Sequence, residues 1–551
     1  SYFVASVSAY RDNETRALAS HQGSMFSDTR LDWSNRYGAH DWHVFGGARV
    51  QMESYSLNTQ VGYNTGNDKT PFMSSSLLNA NNGGSDDKWN SWAWYAQGEY
   101  NYLQRYYLQL NATAETSSRF GKDAINSIKA FGAPWTMFYG AQGAWVVSNE
   151  SWMAGVEPID YLRISAGYDV SGNDDIDYYA ARSYFRAFKF MNSISGIAFD
   201  NIGNSELQAE ITRRFNVGLE TNLLKNRLSI RLNGFFSNTD NLLTFQSLGF
   251  LSGLEYNWSN GGALSNRGVD ASVVGKLIAA KNFQWEMGVS AGHYKNKITR
   301  LADNKTFMDT QLYGATIRTE VGQAANLFYG YETEGVFATS EQAAESGLYI
   351  LAENGVDKKP FGAGDVIFKD NHEDGAIDAK DMVVIGDPNP DIYGNLFSAM
   401  SYKRFRLDVN FNYSLGNDVY NYMRSQLEGG NRFMNQTTAM LHRWQAEGQQ
   451  TSMPRATFQD PMGNARFSDR WIEDGSYLRL KSATLSYNLP INSTFIQGFQ
   501  FWVQANNVFT LSKYLGSDPE FAATSNVIGQ GIDLGQLSQS RSIVAGIKIN
   551  L

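Results

Sequence analysis

One stretch of the chain has the residue types and spacing of a metal site. In Asp370-Asn371-His372-Glu373-Asp374-Gly375-Ala376-Ile377-Asp378-Ala379-Lys380-Asp381, aspartates fall at positions one, five, nine and twelve of a twelve-residue loop. Hard cations such as Ca2+ are held by carboxylate and carbonyl oxygens, and a glycine at position six lets the loop turn sharply. The candidate ligands are therefore Asp370, Asp374, Asp378, Asp381 and the carbonyl of Ala376, with Gly375 at the turn. Two positions depart from the pattern: His372 stands where Asp or Asn is usual, and Asp381 replaces a bidentate Glu. The competing reading is an acidic surface turn closed by Asx hydrogen bonds around Gly375.

The other titratable residues read as structural. His40 and His43 lie three apart at the start of a predicted strand, which sends them to opposite faces and disfavours a shared metal. His21, His293 and His442 have no patterned partners, and Asp174-Asp175 sit in a Gly/Asn/Asp-rich turn. The chain has no cysteine, which removes disulfides, thiolate catalysis and Cys-based zinc sites. No nucleophile elbow, P-loop or dinucleotide fingerprint occurs. With 46 Lys+Arg against 55 Asp+Glu, a net charge of −9 and no basic block, there is no footprint for nucleic-acid phosphates. The reading is of a protein that is not an enzyme.

The elements that would carry these residues are strands. Of the 551 residues, 14% are aromatic but only 18% charged, against about 25% charged in ordinary soluble domains. In Phe405–Ser414 every odd position is apolar and every even one polar, the period-two pattern of a strand with one greasy and one wet face. The same alternation runs through Tyr106–Glu115, Leu162–Asp169, Phe215–Leu223, Leu228–Phe236 and Ser542–Leu551. Many of these segments are long enough for a tilted strand to cross the hydrocarbon layer, whereas globular strands average five or six residues. Connections come in two lengths, tight ones such as Leu224–Arg227 and Lys403-Arg404 and polar ones tens of residues long. That asymmetry describes a transmembrane antiparallel β-barrel. No run of about 18 apolar residues suggests a membrane helix. Tyr100, Tyr102, Tyr106 and Tyr107 around one turn, and Trp471 and Tyr477 before another strand, are read as rings at the membrane interface. About seventeen strands are expected; an odd count beginning at Ser1, without an initiator Met, leads us to expect further strands upstream.

Five segments, in order, carry a resemblance over almost the whole chain: Tyr95–Phe120, Tyr161–Asn173, Asn266–Gly275, Gly364–Pro390 and Asp474–Pro490. The chain resembles the C-terminal barrel portion of a SusC-like TonB-dependent outer-membrane transporter of Bacteroidetes. The resemblance implies a 22-stranded barrel in the full protein, of which residues 1–551 are the C-terminal part. It also implies an N-terminal plug, which we do not find in this sequence, and energy relayed by TonB. The implied partner is a SusD-like surface lipoprotein, and the implied cargo oligosaccharides or oligopeptides. The family generally has Asn where His372 stands and more often ends in Phe than in Leu551.

Two other readings stay open on the residues alone. One is a passive porin or structural barrel complete at this length; the other is a soluble or surface-attached carbohydrate-binding β-protein. Polar stretches around 58–90, 171–205, 416–470 and 512–540, with scattered aromatic rings, are where ligand would be met, or else are plain solvated loops.

Overall fold

The computed structural model describes residues 14–63, 78–190, 194–248, 253–254, 256–491, 495–524 and 526–550. In chain order its long strands are β1 (Glu14–Tyr37), β2 (His40–Tyr63), β3 (Leu78–Tyr102), β4 (Tyr106–Ser117), β5 (Ala133–Val146), β6 (Ile159–Asn173), β7 (Glu210–Leu223) and β8 (Leu228–Asp240). They continue with β9 (Ala263–Ala279), β10 (Phe283–Arg300), β11 (Ile392–Tyr402), β12 (Phe405–Leu415), β13 (Tyr477–Pro490), β14 (Gly498–Ser512) and β15 (Ser542–Asn550). One 16-stranded sheet holds them in sequence order, its remaining member a short strand at Ile128–Ala130. The expectation of about seventeen strands thus meets sixteen in this sheet among the described residues.

Two compact units divide the chain: Ser1–Trp145, Ala166–Phe215 and Asn238–Ala263 form the first, and Val146–Ser165, Asn216–Ser237 and Leu264–Leu551 the second. In the first, β1 to β5 pair antiparallel with each successor. In the second, β10 to β15 do the same. The joins at one end of the strands are short. Gly38 takes φ +60 between β1 and β2, and Lys403 takes φ +55 in the two-residue β11–β12 hairpin. Positive φ at a hairpin's first central residue matches the twist of the flanking strands.

Register turns the alternation of single strands into continuous faces. In the second unit Leu396, Phe411 and Leu480 lie on one face of neighbouring strands, and Asn395, Asn412 and Arg479 on the other. A one-residue slip would exchange the faces. The pairing shifts between Leu480 and Ser482, and this bulge at Lys481 keeps both Arg479 and Ser482 on the wet side. In the first unit Trp42, Tyr100, Leu108 and Gly143 share the greasy face, while His43, Glu99, Gln109 and Gln142 share the wet one.

The greasy faces are bare. Leu110 is 50% exposed, Val503 50% and Ile547 64%, and this array continues over successive strands. Apolar patches beyond a few hundred Å2 are rare on soluble monomers and mark a surface that meets lipid or a partner. Among the described residues no helix is long and apolar enough to cross a membrane. The greasy face is a test point. Val409 sits mid-strand on β12, facing the same way as Leu407 and Phe411. Val409→Arg is expected to cost ~2–4 kcal/mol of folding into vesicles. Asn410→Arg, on the wet face, should stay within about 1 kcal/mol. Urea titration of both variants in vesicles checks the difference.

Candidate functional site

The buried core of the second unit lies in its connections. Between β10 and β11, short strands at Ala315–Glu320, Leu327–Gly330 and Val383–Gly386 pair antiparallel. Helix α1 (Ser340–Ser346) starts where the Thr339 side chain accepts the Gln342 N–H and stops at Gly347, φ +67. Helix α2 (Tyr422–Glu428), between β12 and β13, is capped by Asn421. Phe337, Phe361, Val366, Phe368 and Ile377 form one apolar cluster, and Ile317, Phe328, Tyr420, Trp471 and Ile532 another. The latter draws on three connections far apart in sequence, so segments expected to be ligand-meeting or solvated loops pack as a body. Trp471 is 0% exposed, so it is a core residue and not an interface ring. Its indole N–H donates to the Arg466 carbonyl at 3.1 Å, and the rings of Tyr420 and Phe328 belong to the same cluster. A ring between Arg470 and Ile472 gave no sequence signal separating a folded loop core from a membrane surface.

Charged side chains pin these connections. Asp365, fully buried, receives both arms of Arg455 at 2.9 and 2.8 Å and the Asn464 amide at 2.8 Å. Arg424 bridges Glu428 at 2.9 Å and Glu473 at 2.8 Å. Arg479 of β13 reaches Asp518 and, at 2.8 Å, Glu520. Burial, with Arg424 close by, pushes the Arg470 guanidinium down to about 10. Tyr514, buried and donating to Asp533 at 2.6 Å, has its phenol pushed far up, first by burial and then by that hydrogen bond.

The acidic loop joins the same body, with the Ile377 side chain in its core. Asp370 accepts the Asp374 and Gly375 N–H groups at 3.3 and 2.7 Å, and Asp374 accepts that of Ala376 at 2.9 Å and pairs with Lys380 at 3.6 Å. Asp378 accepts the Lys380 N–H at 2.8 Å. Asp381, wholly buried, accepts the His372 and Asp378 N–H groups at 3.0 and 2.9 Å. The four candidate carboxylates are thus engaged in Asx-type and capping bonds. Among the described residues, no three acidic or imidazole side chains come together in an arrangement that could hold a metal.

Burial alone would raise the Asp370 carboxyl, but the N–H groups of Gly375, Asp374 and Glu373 outweigh it and hold the group below the ordinary aspartate range. A depressed folded value means that its contribution is whole above the ordinary range and is lost as pH falls through the lower one. The loop is therefore expected to keep its amide-exchange protection at pH 5 and to lose the share due to Asp370 only below ~4. Asp381→Ala should cost about 2 kcal/mol by orphaning two backbone donors, read as faster exchange at His372 and Asp378.

Elsewhere the sequence expectations divide. His40 and His43 do face opposite ways: His40 Nδ1 meets the Tyr100 hydroxyl at 2.7 Å, while His43 stands 3.3 Å from both Asp32 and Glu99. The Asp174 carboxylate, expected in a solvated turn, accepts from Ser117 Oγ at 3.0 Å, and Arg119 donates to its backbone carbonyl. Tyr106 (44%) and Tyr107 (37%) are exposed at their turn, as a girdle requires, and Tyr102 stacks on Tyr106 with centroids 6.3 Å apart. The stretch 58–90 is largely strand, since β2 runs to Tyr63 and β3 starts at Leu78; 64–77 lie outside the described residues.

The wet face offers amides, hydroxyls and paired ions: Asn410 and Ser482 at 3.2 Å, Thr484 and Gln504 at 3.2 Å, Arg406 and Asp408 at 2.7 Å. Such a face can hydrogen-bond polar molecules along its length. Phe433 and Phe458, both exposed with centroids 4.9 Å apart, add an apolar surface on the connections.

Comparison with known proteins bears on all of this. Residues 2–351 match the family described as TonB dependent receptor-like, beta-barrel. TonB-dependent receptor P3 of Formosa agariphila is 27% identical over 555 residues, covering 96% of this chain and 52% of that protein. TonB-dependent receptor SusC of Bacteroides thetaiotaomicron is 26% identical over 488 residues, covering 83% and 43%. The chain spans about half the length of the curated relatives it matches. In fold it is similar to the RagAB peptide transporter, with a TM-score of 0.77 at 22% identity over 98% of this chain and 56% of that one.

Proposed function

Because the chain belongs to the TonB dependent receptor-like β-barrel family, a family of outer-membrane transporters and receptors and not of enzymes, we propose that it forms the barrel wall of a SusC-like importer of oligosaccharides or oligopeptides. It works with a SusD-like lipoprotein at the cell surface, in the outer membrane of a Gram-negative bacterium. Energy comes from TonB, through a plug in the part of such receptors beyond this alignment. The observation that carries this reading is the register that keeps one face greasy and the other wet, beneath connections folded into a packed body. Greasy faces suit lipid, and the wet faces give hydrophilic cargo successive polar partners. The likeness to SusC supports the SusC-like branch, and the printed name of the RagAB peptide transporter supports peptide among the cargoes.

Purifying the native complex and identifying its bound ligand and lipoprotein tests the proposal, together with uptake of that ligand with and without TonB. Uptake that stops without TonB supports an importer; unchanged uptake, with no lipoprotein recovered, turns the reading to a passive porin.

Calcium on the acidic loop is a separate proposal. The carboxylates of Asp370, Asp374, Asp378 and Asp381 would bind it, with the Ala376 carbonyl, after releasing the donors those carboxylates now hold. A melting midpoint that rises when Ca2+ is added to chelator-treated protein, and no longer does so in Asp370→Asn, supports it; an unchanged midpoint removes it.

A further inference from the structure

On the first unit, a cleft of about 650 Å3 opens at the upper edge of the greasy face. Its strand-borne lining includes Val50 and Met52 of β2, Trp92 of β3 and Thr116 of β4. These lie on the apolar side, since Val50 pairs with Trp92 and Trp92 with Thr116. Above them the lining turns to Gly121, Lys122, Pro134 and Arg182. Trp135, on the same face of β5, packs edge-on to Trp92 with centroids 6.0 Å apart. The hairpin that begins with Ile128–Ala130 turns at Phe131, a ring 94% exposed.

The height of this cleft identifies what it meets. Trp92 stands ten residues above Tyr102 at the short turn end of β3. At about 3.4 Å per residue and a tilt near 40°, that is roughly 26 Å, the far edge of a ~25 Å apolar band. Short turns mark the periplasmic end of such barrels, so this edge is the outer leaflet. In a chain of net charge −9, the cleft is lined by a lysine and an arginine and by no acidic residue. Neither the Lys122 ammonium nor the Arg182 guanidinium has an acidic partner among the described residues, and both residues are exposed.

We propose that this cleft is a specific seat for an outer-leaflet lipid with a phosphorylated headgroup. One acyl chain descends from the rim beside Met52 over Val50 and Trp92, and Lys122 and Arg182 hold the phosphate at the rim. Arg pairs bidentately with phosphate and Lys acts as a point charge, so two cations at the polar end of an apolar slot select an anionic amphiphile over a zwitterionic one. The exposed Phe131 ring rests at the headgroup boundary, where aromatic side chains are favoured. The seat is independent of what the barrel carries.

The test is lipid retention by the full-length receptor, delipidated in detergent and returned to nanodiscs of phosphatidylethanolamine containing diphosphoryl lipid A. Native mass spectrometry is expected to find lipid A retained in preference to phosphatidylethanolamine. The double variant K122Q/R182Q should retain it about tenfold less, the loss of charge-assisted phosphate contacts. Heat-dependent gel mobility verifies that the variant is folded. A second readout does not depend on the charges: quenching of tryptophan fluorescence by lipid A with brominated acyl chains should fall in Trp92→Phe. Equal retention by wild type and double variant, equal retention of phosphatidylethanolamine, or quenching unchanged in Trp92→Phe would overturn the proposal.

Discussion

Replacing Asp518 by alanine is expected to cost about 3 kcal/mol and to free the segment 513–541 from β13. Arg479 and Asp518 are 2% and 8% exposed at their side chains, so neither charge is screened by water. The Arg479 Nε also donates to Thr510 at 3.0 Å, while Asp518 accepts the Glu520 and Gln539 N–H groups at 2.9 and 3.1 Å. Removing the carboxylate therefore strands a buried guanidinium and two backbone donors together. Glu520, 2.8 Å from the other guanidinium arm but 33% exposed, retains part of the pairing, which places the cost at the lower end of the ~3–5 kcal/mol usual for a broken buried pair. The double variant R479M/D518L no longer strands the guanidinium but leaves Glu520 without its partner and the two backbone donors orphaned, so it should recover only about 1 kcal/mol of the loss. Urea unfolding in micelles measures the cost, and hydrogen exchange across 513–541 locates it. A single variant as stable as its parent would mean that the ion pair does not secure the connection.

Trp471→Ala should cost ~3–5 kcal/mol, because the connections of the second unit cannot collapse into so large a cavity. The indole is wholly enclosed, donates to the Arg466 carbonyl at 3.1 Å, and carries Arg470 over its face at 4.7 Å. Trp471→Phe keeps most of the volume but orphans that carbonyl, and should cost about 2 kcal/mol. Trp94 is the control. It lies on the greasy face and is 50% exposed, so Trp94→Ala in micelles should stay within about 1 kcal/mol. The expected pattern is early proteolysis of the connections in Trp471→Ala, with strand amide protection in the wall unchanged. If the wall and connections instead melted together at one midpoint, they would form one cooperative unit.

The alternation of Phe405 to Ser414 was sufficient to assign β12 its two faces, and Leu224–Arg227 and Lys403-Arg404 to place tight turns at the ends of strands. Strand geometry sends neighbouring side chains to opposite sides wherever the strand lies, so these features are local and a single sequence carries them. The polar connections carried no such signal. Trp471, Asp518 and Asp365 acquire their roles from Phe328, Arg479 and Arg455, partners contributed by other connections or strands. Nothing in a residue's own neighbourhood marks those pairings. The acidic loop shows the same divide. Its spacing suits a cation or a turn closed by its own amides, and the donors taken by Asp370, Asp374 and Asp381 depend on how the loop closes over Ile377 in the core. Local periodicity therefore determined the wall, while the folded body of the connections was decided by tertiary contacts that bring distant buried groups together.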